Sequence, residues 1–163
     1  MAKYAAETEV PSERSQAEIK STLQRYGATK YAYYEDEENA GISCEIKDRR
    51  IRFIVALPSR THDDFVYRNT AGNKRRTRPM DEQRSVWEKA CRQRWRALAL
   101  VIKAKLEAVE SGIATFEDEF LSFILLPDGK TVGEHMKPQI KQAYLSGTMP
   151  KMLPGFGETG QAS

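Results

Sequence analysis

The sequence is poor in the features that mark membrane-spanning, secreted and disulfide-bonded proteins. No apolar run approaches the ~20 residues that a membrane-spanning helix needs. The first residues lack the apolar segment of a secretory signal, so we expect a cytoplasmic protein. The only two cysteines, Cys44 and Cys91, lie far apart in the chain and form no Cys-x-x-Cys pair. They suggest neither a disulfide framework nor a zinc site, and we expect both thiols to be buried and reduced.

Common catalytic motifs are also missing. The sequence contains no P-loop, no dinucleotide-binding glycine pattern, no nucleophile elbow and no zinc-protease pair of histidines. His62 precedes Asp63 and Asp64, which begins to resemble a metal site, but no further ligand has a diagnostic spacing. The acidic residues 117–119 stand at the start of a predicted helix, where the helix dipole favours acids. The sequence therefore favours a non-enzymatic protein with no cofactor and no metal.

What the sequence does contain is enough apolar material for one folded domain. Of the 163 residues, 40% are hydrophobic and 30% are charged, and the formal net charge is +3. This length and composition predict a single α+β domain over residues 1–146, followed by a flexible tail over residues 147–163 that contains several Pro and Gly. We expect the core of the domain over residues 12–111 and a small helical lobe over residues 112–146.

Apolar spacing predicts a short helix and a long helix around this core. In the short helix, Ser15 and Glu18 match a capping box, and Gly27 stands where a helix ends. The long helix begins near Asp81, which is able to act as its N-cap, and ends at Ser111. Its length of roughly 46 Å exceeds the width of a three-stranded sheet. Its apolar stripe recurs every three or four residues and comprises Trp87, Cys91, Trp95, Leu98, Ile102, Leu106 and Val109.

Alternating apolar residues over positions 29–57 predict a three-stranded antiparallel meander with one apolar face. A two-residue turn at positions 48–49 closes the second hairpin. It sets a register that pairs apolar residues with each other on one face and charged residues with each other on the other face. The predicted pairs are Ile46–Ile51, Cys44–Phe53 and Ile42–Val55 on the apolar face, Glu45–Arg52 and Lys47–Arg50 on the outer face, and Tyr33–Ile42 and Tyr31–Cys44 between the first two strands.

Weaker signals predict the elements at the two ends of the chain. A loose alternation over residues 4–10 predicts an extra edge strand before the first helix. In the C-terminal lobe, Thr115 begins a short helix that carries three phenylalanines. Thr131 and Glu134 form a capping box for a last helix, whose apolar residues recur at every fourth position. Pro138 is expected to kink or split that helix.

Positive charge is concentrated between the meander and the long helix. Residues 59–80 are polar, include one predicted turn at residues 71–73 and show no periodicity, so we interpret them as a long loop. Guanidinium groups on a loop suit phosphate oxygens, because each can make bidentate, charge-assisted contacts. The candidate contact residues are Arg68, Lys74, Arg75, Arg76 and Arg78 on the loop, Arg84, Arg92 and Arg96 on the helix, and Arg50 on the outer face of the meander.

Two other interpretations of this charge stay open. The same cations suit an acidic surface of another protein, and a solvated basic loop with no ligand is the third alternative. Aromatic residues near the charge do not decide among these. Only Tyr34 points away from the predicted core face, so packing is favoured over base stacking for Tyr31 and Tyr33.

Residues 95–113, residues 116–120 and the run Leu-Pro-Asp-Gly-Lys-Thr-Val-Gly-Glu at 126–134 resemble small proteins encoded in bacteriophage and prophage genomes. Residues 12–27 are similar to the first helix of those proteins. The group has no assigned activity, so the resemblance implies only a mobile-element origin and favours DNA-related or host-antagonising roles. The order of helix, three antiparallel strands and helix is also similar, in topology alone, to the double-stranded-RNA-binding domain. The much longer second helix and the added elements at both ends depart from that domain.

The sequence therefore predicts a non-enzymatic, phage-type accessory protein that binds nucleic acid through an arginine-rich loop and the start of the long helix. The alternative is a protein-interaction module, such as a phage inhibitor or adaptor of a host defence or nucleic-acid-processing protein. Binding to labelled oligonucleotides at low salt discriminates between these two hypotheses.

Overall fold

The computed structural model describes residues 9–70 and 74–150. Over these residues the chain has the predicted α+β fold. Most of the strand predicted over residues 4–10, the turn over 71–73 and the tail from residue 151 lie outside the described residues. In chain order the elements are α1 (Ser12–Arg25), β1 (Thr29–Glu35), β2 (Asn39–Ile46), β3 (Arg49–Ala56), α2 (Asp63–Val66), β4 (Tyr67–Thr70), β5 (Lys74–Thr77), α3 (Met80–Glu110), α4 (Phe116–Phe120), a 3₁₀ turn (Leu121–Phe123) and α5 (Val132–Ser146).

The strands β1, β2 and β3 form the predicted antiparallel meander with β2 in the centre. The register of β2 and β3 is shifted by two residues from the prediction, because the turn lies at Lys47 and Asp48, which both have positive φ. Glu45 therefore lies opposite Arg50 rather than Arg52. A two-residue shift leaves each side chain on its predicted face, so the apolar face is as predicted. The observed pairs on that face are Ile46–Arg49, Cys44–Ile51, Ile42–Phe53 and Ala40–Val55.

The first strand is irregular near its start. Tyr33 lies opposite Ile42, as predicted. The register then slips between residues 29 and 32, where a lysine adopts a positive φ. Because of this slip, Tyr31 has no partner in the ladder, and its predicted pairing with Cys44 is wrong.

The long helix α3 packs its predicted stripe into the core. Trp95, in the middle of the stripe, is only 1% exposed. The helix starts at Met80 after Pro79, without the predicted side-chain cap from Asp81. It ends before Gly112, whose φ of 70° is the left-handed conformation that commonly follows a helix. Its buried residues are Cys91, Trp95, Ala99, Ile102 and Leu106.

Both cysteines are buried and free, as predicted. Cys44 faces the core from β2 and Cys91 from α3. Burial raises the pKa of the Cys44 thiol to about 12 and that of the Cys91 thiol to about 11. Both groups are therefore protonated thiols at neutral pH and react slowly with thiol reagents.

Helix α1 begins without the predicted capping box. Pro11 precedes its first turn and supplies no side-chain cap. Ser15 lies inside the helix instead, buried on the core face with Ile19 and Leu23, and α1 packs mainly against α3. The Ser15 hydroxyl has no hydrogen-bond partner within residues 9–70 and 74–150. The end of the helix is as predicted, because Gly27 has a φ of 87°.

We expect Ser15→Ala to leave the free energy of unfolding unchanged or to raise it by about 0.5–1.5 kcal/mol, because it removes a buried hydroxyl that makes no hydrogen bond. Ser15→Leu, which adds volume at the same buried position, is expected to lower it by about 1–3 kcal/mol. Urea unfolding followed by circular dichroism measures both changes. A clear loss of stability in Ser15→Ala would show that the hydroxyl has a partner after all.

The C-terminal lobe packs against β3 through aromatic side chains. Phe120 is fully buried and meets Phe53 of β3 edge to face, with ring centroids 6.1 Å apart. Thr115 caps α4, as predicted, in a capping box with Asp118. Lys105 of α3 joins the lobe through an ion pair of 2.8 Å with Glu119. The far end of the long helix is thus packed against the lobe.

The lobe also reaches the edge of β3 that β2 leaves free. The Leu125 N–H donates to the carbonyl of Arg50 at 2.7 Å. Arg52 forms an ion pair of 2.7 Å with Glu134 at the start of α5. Glu134 also completes the predicted capping box with Thr131. These contacts connect the outer face of β3 to the last helix.

Helix α5 continues through Pro138, so of the two predicted outcomes, a kink or a split, the split does not occur. Proline lacks an N–H group and removes one intrahelical hydrogen bond, but the capping box and the remaining turns hold the helix together. The predicted apolar stripe packs only near its start, because Ile140 and Tyr144 are exposed. The helix ends at Gly147, which adopts the left-handed conformation.

Candidate nucleic-acid interface

Within the polar stretch before α3, residues 63–70 and 74–77 form a short helix and two strands, which corrects the interpretation of residues 59–80 as one long loop. After the short helix α2, strands β4 and β5 pair as a two-stranded antiparallel ribbon. All residues of β5 are exposed, and Tyr67 and Asn69 of β4 are exposed as well. The ribbon therefore stands out from the core. We call β4 and β5 the basic ribbon.

Both faces of the basic ribbon carry cations. Residues directly opposite each other in an antiparallel pair have their side chains on the same face. No acidic residue occurs in either strand. The pairs are Arg68–Arg76 and Thr70–Lys74 on one face, and Tyr67–Thr77 and Asn69–Arg75 on the other.

A carboxylate at the start of α3 anchors the base of the ribbon. Glu82 accepts hydrogen bonds from Arg68, at 3.2 Å, and from Arg78. Arg78 also donates its backbone N–H to the Val66 carbonyl at 2.8 Å and its Nε to the Tyr67 carbonyl at 3.1 Å. Arg68 and Arg78 are thus held in place by contacts within the chain, and part of their charge is neutralised there.

The face that carries Arg75 has its own anchor on α2. The Arg75 guanidinium bonds to Asp63 at 3.0 Å and lies over the Tyr67 ring, 5.6 Å from its centroid. Both partners of this ion pair are mostly exposed to solvent. Such an exposed pair contributes little to stability, so Arg75 is able to exchange Asp63 for another anion.

Lys74 and Arg76 are the cations of the ribbon that have no carboxylate partner within the described parts of the chain. They follow one another along β5 on either side of Arg75. Side chains two residues apart in a strand lie on the same face, roughly 7 Å apart along the strand. That distance is close to the separation of successive phosphates along one nucleic-acid strand, so both cations are able to contact one backbone.

The predicted continuation of the basic surface along α3 is only partly present. Arg84 is 78% exposed near the ribbon base, but its Nε donates to Glu88 at 2.9 Å one turn later. Arg96 pairs with Glu18 of α1 across the interface between the two helices. Arg92 is half-buried, and its Nε lacks a hydrogen-bond partner among the described residues. Arg92 and Arg96 therefore belong to the packing around α1 rather than to the ribbon surface.

Arg50 lies away from the ribbon, at the opposite end of β3. The seven steps along the chain from Arg50 to Leu57 cover roughly 23 Å before the chain turns toward α2. Glu45 lies opposite Arg50, but its carboxylate bonds to Lys30 at 2.9 Å. The structure thus separates Arg50 from the other candidate contact residues.

The three tyrosines of β1 pack against neighbouring parts of the fold, and Tyr31 lies partly buried against the core. Tyr33 packs with its ring 5.9 Å from that of Trp95, as predicted, while 50% of the residue stays exposed. Burial and the nearby Glu35 carboxylate raise the pKa of Tyr33 to about 12. Tyr34 lies on the outer face over Gly41, where a Cβ atom would meet its ring at 2.3 Å. Packing thus accounts for the ring of Tyr34.

The other candidate groups have local structural roles. His62 precedes α2, and its Nδ1 accepts a hydrogen bond from the Asp64 N–H at 3.3 Å. Among residues 9–70 and 74–150, no group of three or more His, Cys, Asp or Glu side chains is arranged to hold a metal ion. In the same ranges, no helix has the length and apolar character needed to cross a membrane.

Sequence reasoning missed the ribbon and its anchors. The signal that was available is two short polar segments around the Ala-Gly-Asn turn at residues 71–73, which is the pattern of a hairpin with a three-residue loop. The anchors Asp63 and Glu82 stand next to the basic segment but could not be assigned without the fold. No protein-family model matches the chain, and neither a curated protein nor a solved structure matches it.

Proposed function

We propose that this protein is a non-enzymatic accessory protein that binds nucleic acid through the basic ribbon, with little dependence on base sequence. The observation that carries the proposal is an exposed two-stranded ribbon with cations on both faces. Two of these cations, Lys74 and Arg76, have no carboxylate partner within residues 9–70 and 74–150. Phosphate contacts of this kind position a protein on nucleic acid without reading its bases.

The shape of the ribbon supports duplex DNA as the substrate. The major groove of B-form DNA admits a two-stranded β-ribbon, whereas the deep and narrow major groove of A-form RNA does not. A ribbon anchored at its base by Glu82 enters the groove as a preformed element. A cytoplasmic location and a bacteriophage or prophage origin belong to the same proposal.

The direct test is fluorescence anisotropy with a labelled DNA duplex, a matched RNA duplex and a single strand at about 50 mM salt. We expect the wild type to bind the DNA duplex most tightly. Lys74→Gln combined with Arg76→Gln is expected to weaken that binding about tenfold or more, because two charge-assisted contacts are lost.

The matched control is Lys137→Gln combined with Lys141→Gln, which removes the same charge from the exposed side of α5. We expect this control to bind within about twofold of wild type, because only distant screened charges change. Equal weakening by both double variants would mean that net charge, and not the ribbon, determines binding.

A second candidate function is docking on an acidic protein surface. The contacts of Arg75 with Asp63, and of Arg68 and Arg78 with Glu82, favour it, since these guanidinium groups already bind carboxylates within the chain. This alternative, which includes inhibitors and adaptors of host proteins, predicts no oligonucleotide binding. It also predicts an acidic protein that copurifies with wild type and is released by Lys74→Gln combined with Arg76→Gln.

A further inference from the structure

One edge of the meander is only partly covered. Strand β3 pairs with β2 on one side. On its other side, the carbonyl of Arg50 accepts a hydrogen bond from Leu125. Because the main-chain groups of alternate strand residues point to the same side, those of Ile54 and Ala56 also point to this edge. Neither has a main-chain partner on that side among the residues described. The second half of the edge is therefore available for strand pairing.

An apolar groove of about 890 Å³ lies beside this open edge. Natural sheet edges are usually protected by charged side chains, proline, a bulge or a covering element. Residues 54–56 have none of these, and Ile54 is 46% exposed. The apolar lining of the groove consists of residues 54–56 and Pro58, Phe65 of α2, and Val86, Ala90, Ala97 and Leu98 of α3.

The charged residues at the groove are mostly basic. Lys89 and Arg94 of α3 line it, and neither has a carboxylate partner within residues 9–70 and 74–150. Asp64 is the acidic residue that lines the same groove, and it is mostly exposed at its α2 end. The charge at the groove thus complements an acidic partner rather than a basic one.

We propose that this groove binds an extended segment of another protein, which adds to β3 as a fourth strand. Its main chain pairs with Ile54 and Ala56, its apolar side chains enter the groove, and its acidic residues lie beside Lys89 and Arg94. Strand addition of this kind draws affinity from main-chain hydrogen bonds and selectivity from the side-chain pockets. Among the residues that the structure describes, none from the basic ribbon lines the groove, so this inference does not depend on nucleic-acid binding.

The test is selection of random dodecapeptides displayed on phage against the immobilised full-length protein, followed by affinity measurements on the selected peptides. We expect the selected peptides to contain alternating apolar residues next to Asp or Glu. Methylating the backbone nitrogens that face β3 should weaken a selected peptide about tenfold or more, because each methyl group removes a main-chain hydrogen bond.

Variants of the protein locate the binding surface. Ala56→Pro removes an N–H on the open side of β3 and leaves the pairing with β2 in place, so it should weaken peptide binding about tenfold or more. Lys89→Glu combined with Arg94→Glu should also weaken peptide binding about tenfold or more. The control, Lys103→Glu combined with Lys137→Glu, makes the same charge change away from the groove and should leave peptide binding unchanged.

Three results would overturn the proposal. One is a library that yields no enriched peptide. Another is equal binding of the methylated and unmethylated peptides to wild type, a comparison that does not depend on whether Ala56→Pro folds. The third is a wild-type dimer, detected by light scattering, that Ala56→Pro converts to a monomer and that Lys89→Glu combined with Arg94→Glu leaves intact. In that case a second copy of β3, and not an acidic segment of another protein, would occupy the edge.

Discussion

Trp95→Ala is expected to lower the free energy of unfolding by about 3–5 kcal/mol, a large fraction of the stability of a domain of this size. The indole is 1% exposed in the middle of the α3 stripe, and Tyr33 packs near its ring. Its removal leaves a cavity between α1, α3 and the sheet that the surrounding side chains fill only partly. Chemical unfolding followed by circular dichroism measures the loss.

Val101→Ala is the matched control on the same helix, because Val101 is 47% exposed whereas Trp95 is buried. We expect it to change the free energy of unfolding by less than about 0.5 kcal/mol. Native-like stability of Trp95→Ala would contradict the packing of α3 described here.

Replacing Lys74, Arg75, Arg76 and Arg78 by Ser is expected to weaken nucleic-acid binding about 100-fold or more for all sequences alike. Lys74, Arg75 and Arg76 supply most of the positive charge of the basic ribbon, and Arg78 stands just after β5. Contacts to phosphate do not distinguish one base sequence from another. Anisotropy titrations with several unrelated duplexes measure the change.

Arg78 requires a control, because it also holds the ribbon base through the Tyr67 carbonyl and Glu82. Restoring Arg78 in the Ser variant should recover only a small part of the affinity. Arg50→Ser, at the far end of β3, should bind like wild type. If Arg50→Ser weakened nucleic-acid binding more than the fourfold Ser variant does, the binding surface would lie on the meander and not on the basic ribbon.

The helical core was predictable because its signal is periodic. The spacing of apolar residues in α3 alone identifies the face that is buried, and burial of Trp95 and Cys91 agrees with it. The cap at Thr115 and the capping box at Thr131 were also predictable, since each is a short local pattern. Ser15 shows the limit of such patterns, because the same residue types occur inside a helix as well as at its start.

The register of the meander was not predictable from alternation. A shift of two residues preserves both faces, so the apolar pattern fits the predicted and the observed pairings equally well. The turn decides between them, and here it consists of Lys47 and Asp48 in left-handed conformations. Asn-Gly is the usual signal for such a turn, and the sequence has no such pair at this position.

The basic ribbon was hidden for a different reason. Its strands bury almost no apolar surface, so they produce no alternation that separates a strand from a loop. The charges of its residues were readable from the sequence, but their partners were not. Glu82 and Asp63 lower the number of cations that are free to bind phosphate, and only the fold reveals these contacts.

The most direct measurement is the salt dependence of wild-type binding to a DNA duplex. A ribbon that contacts phosphate through Lys74 and Arg76 predicts that the logarithm of the binding constant falls with the logarithm of the salt concentration, with a slope of about −1.8 or steeper. Lys74→Gln combined with Arg76→Gln should reduce the magnitude of that slope by about 1.8. Absence of wild-type binding at about 50 mM salt, or a slope that the double variant leaves unchanged, would contradict nucleic-acid binding by the ribbon.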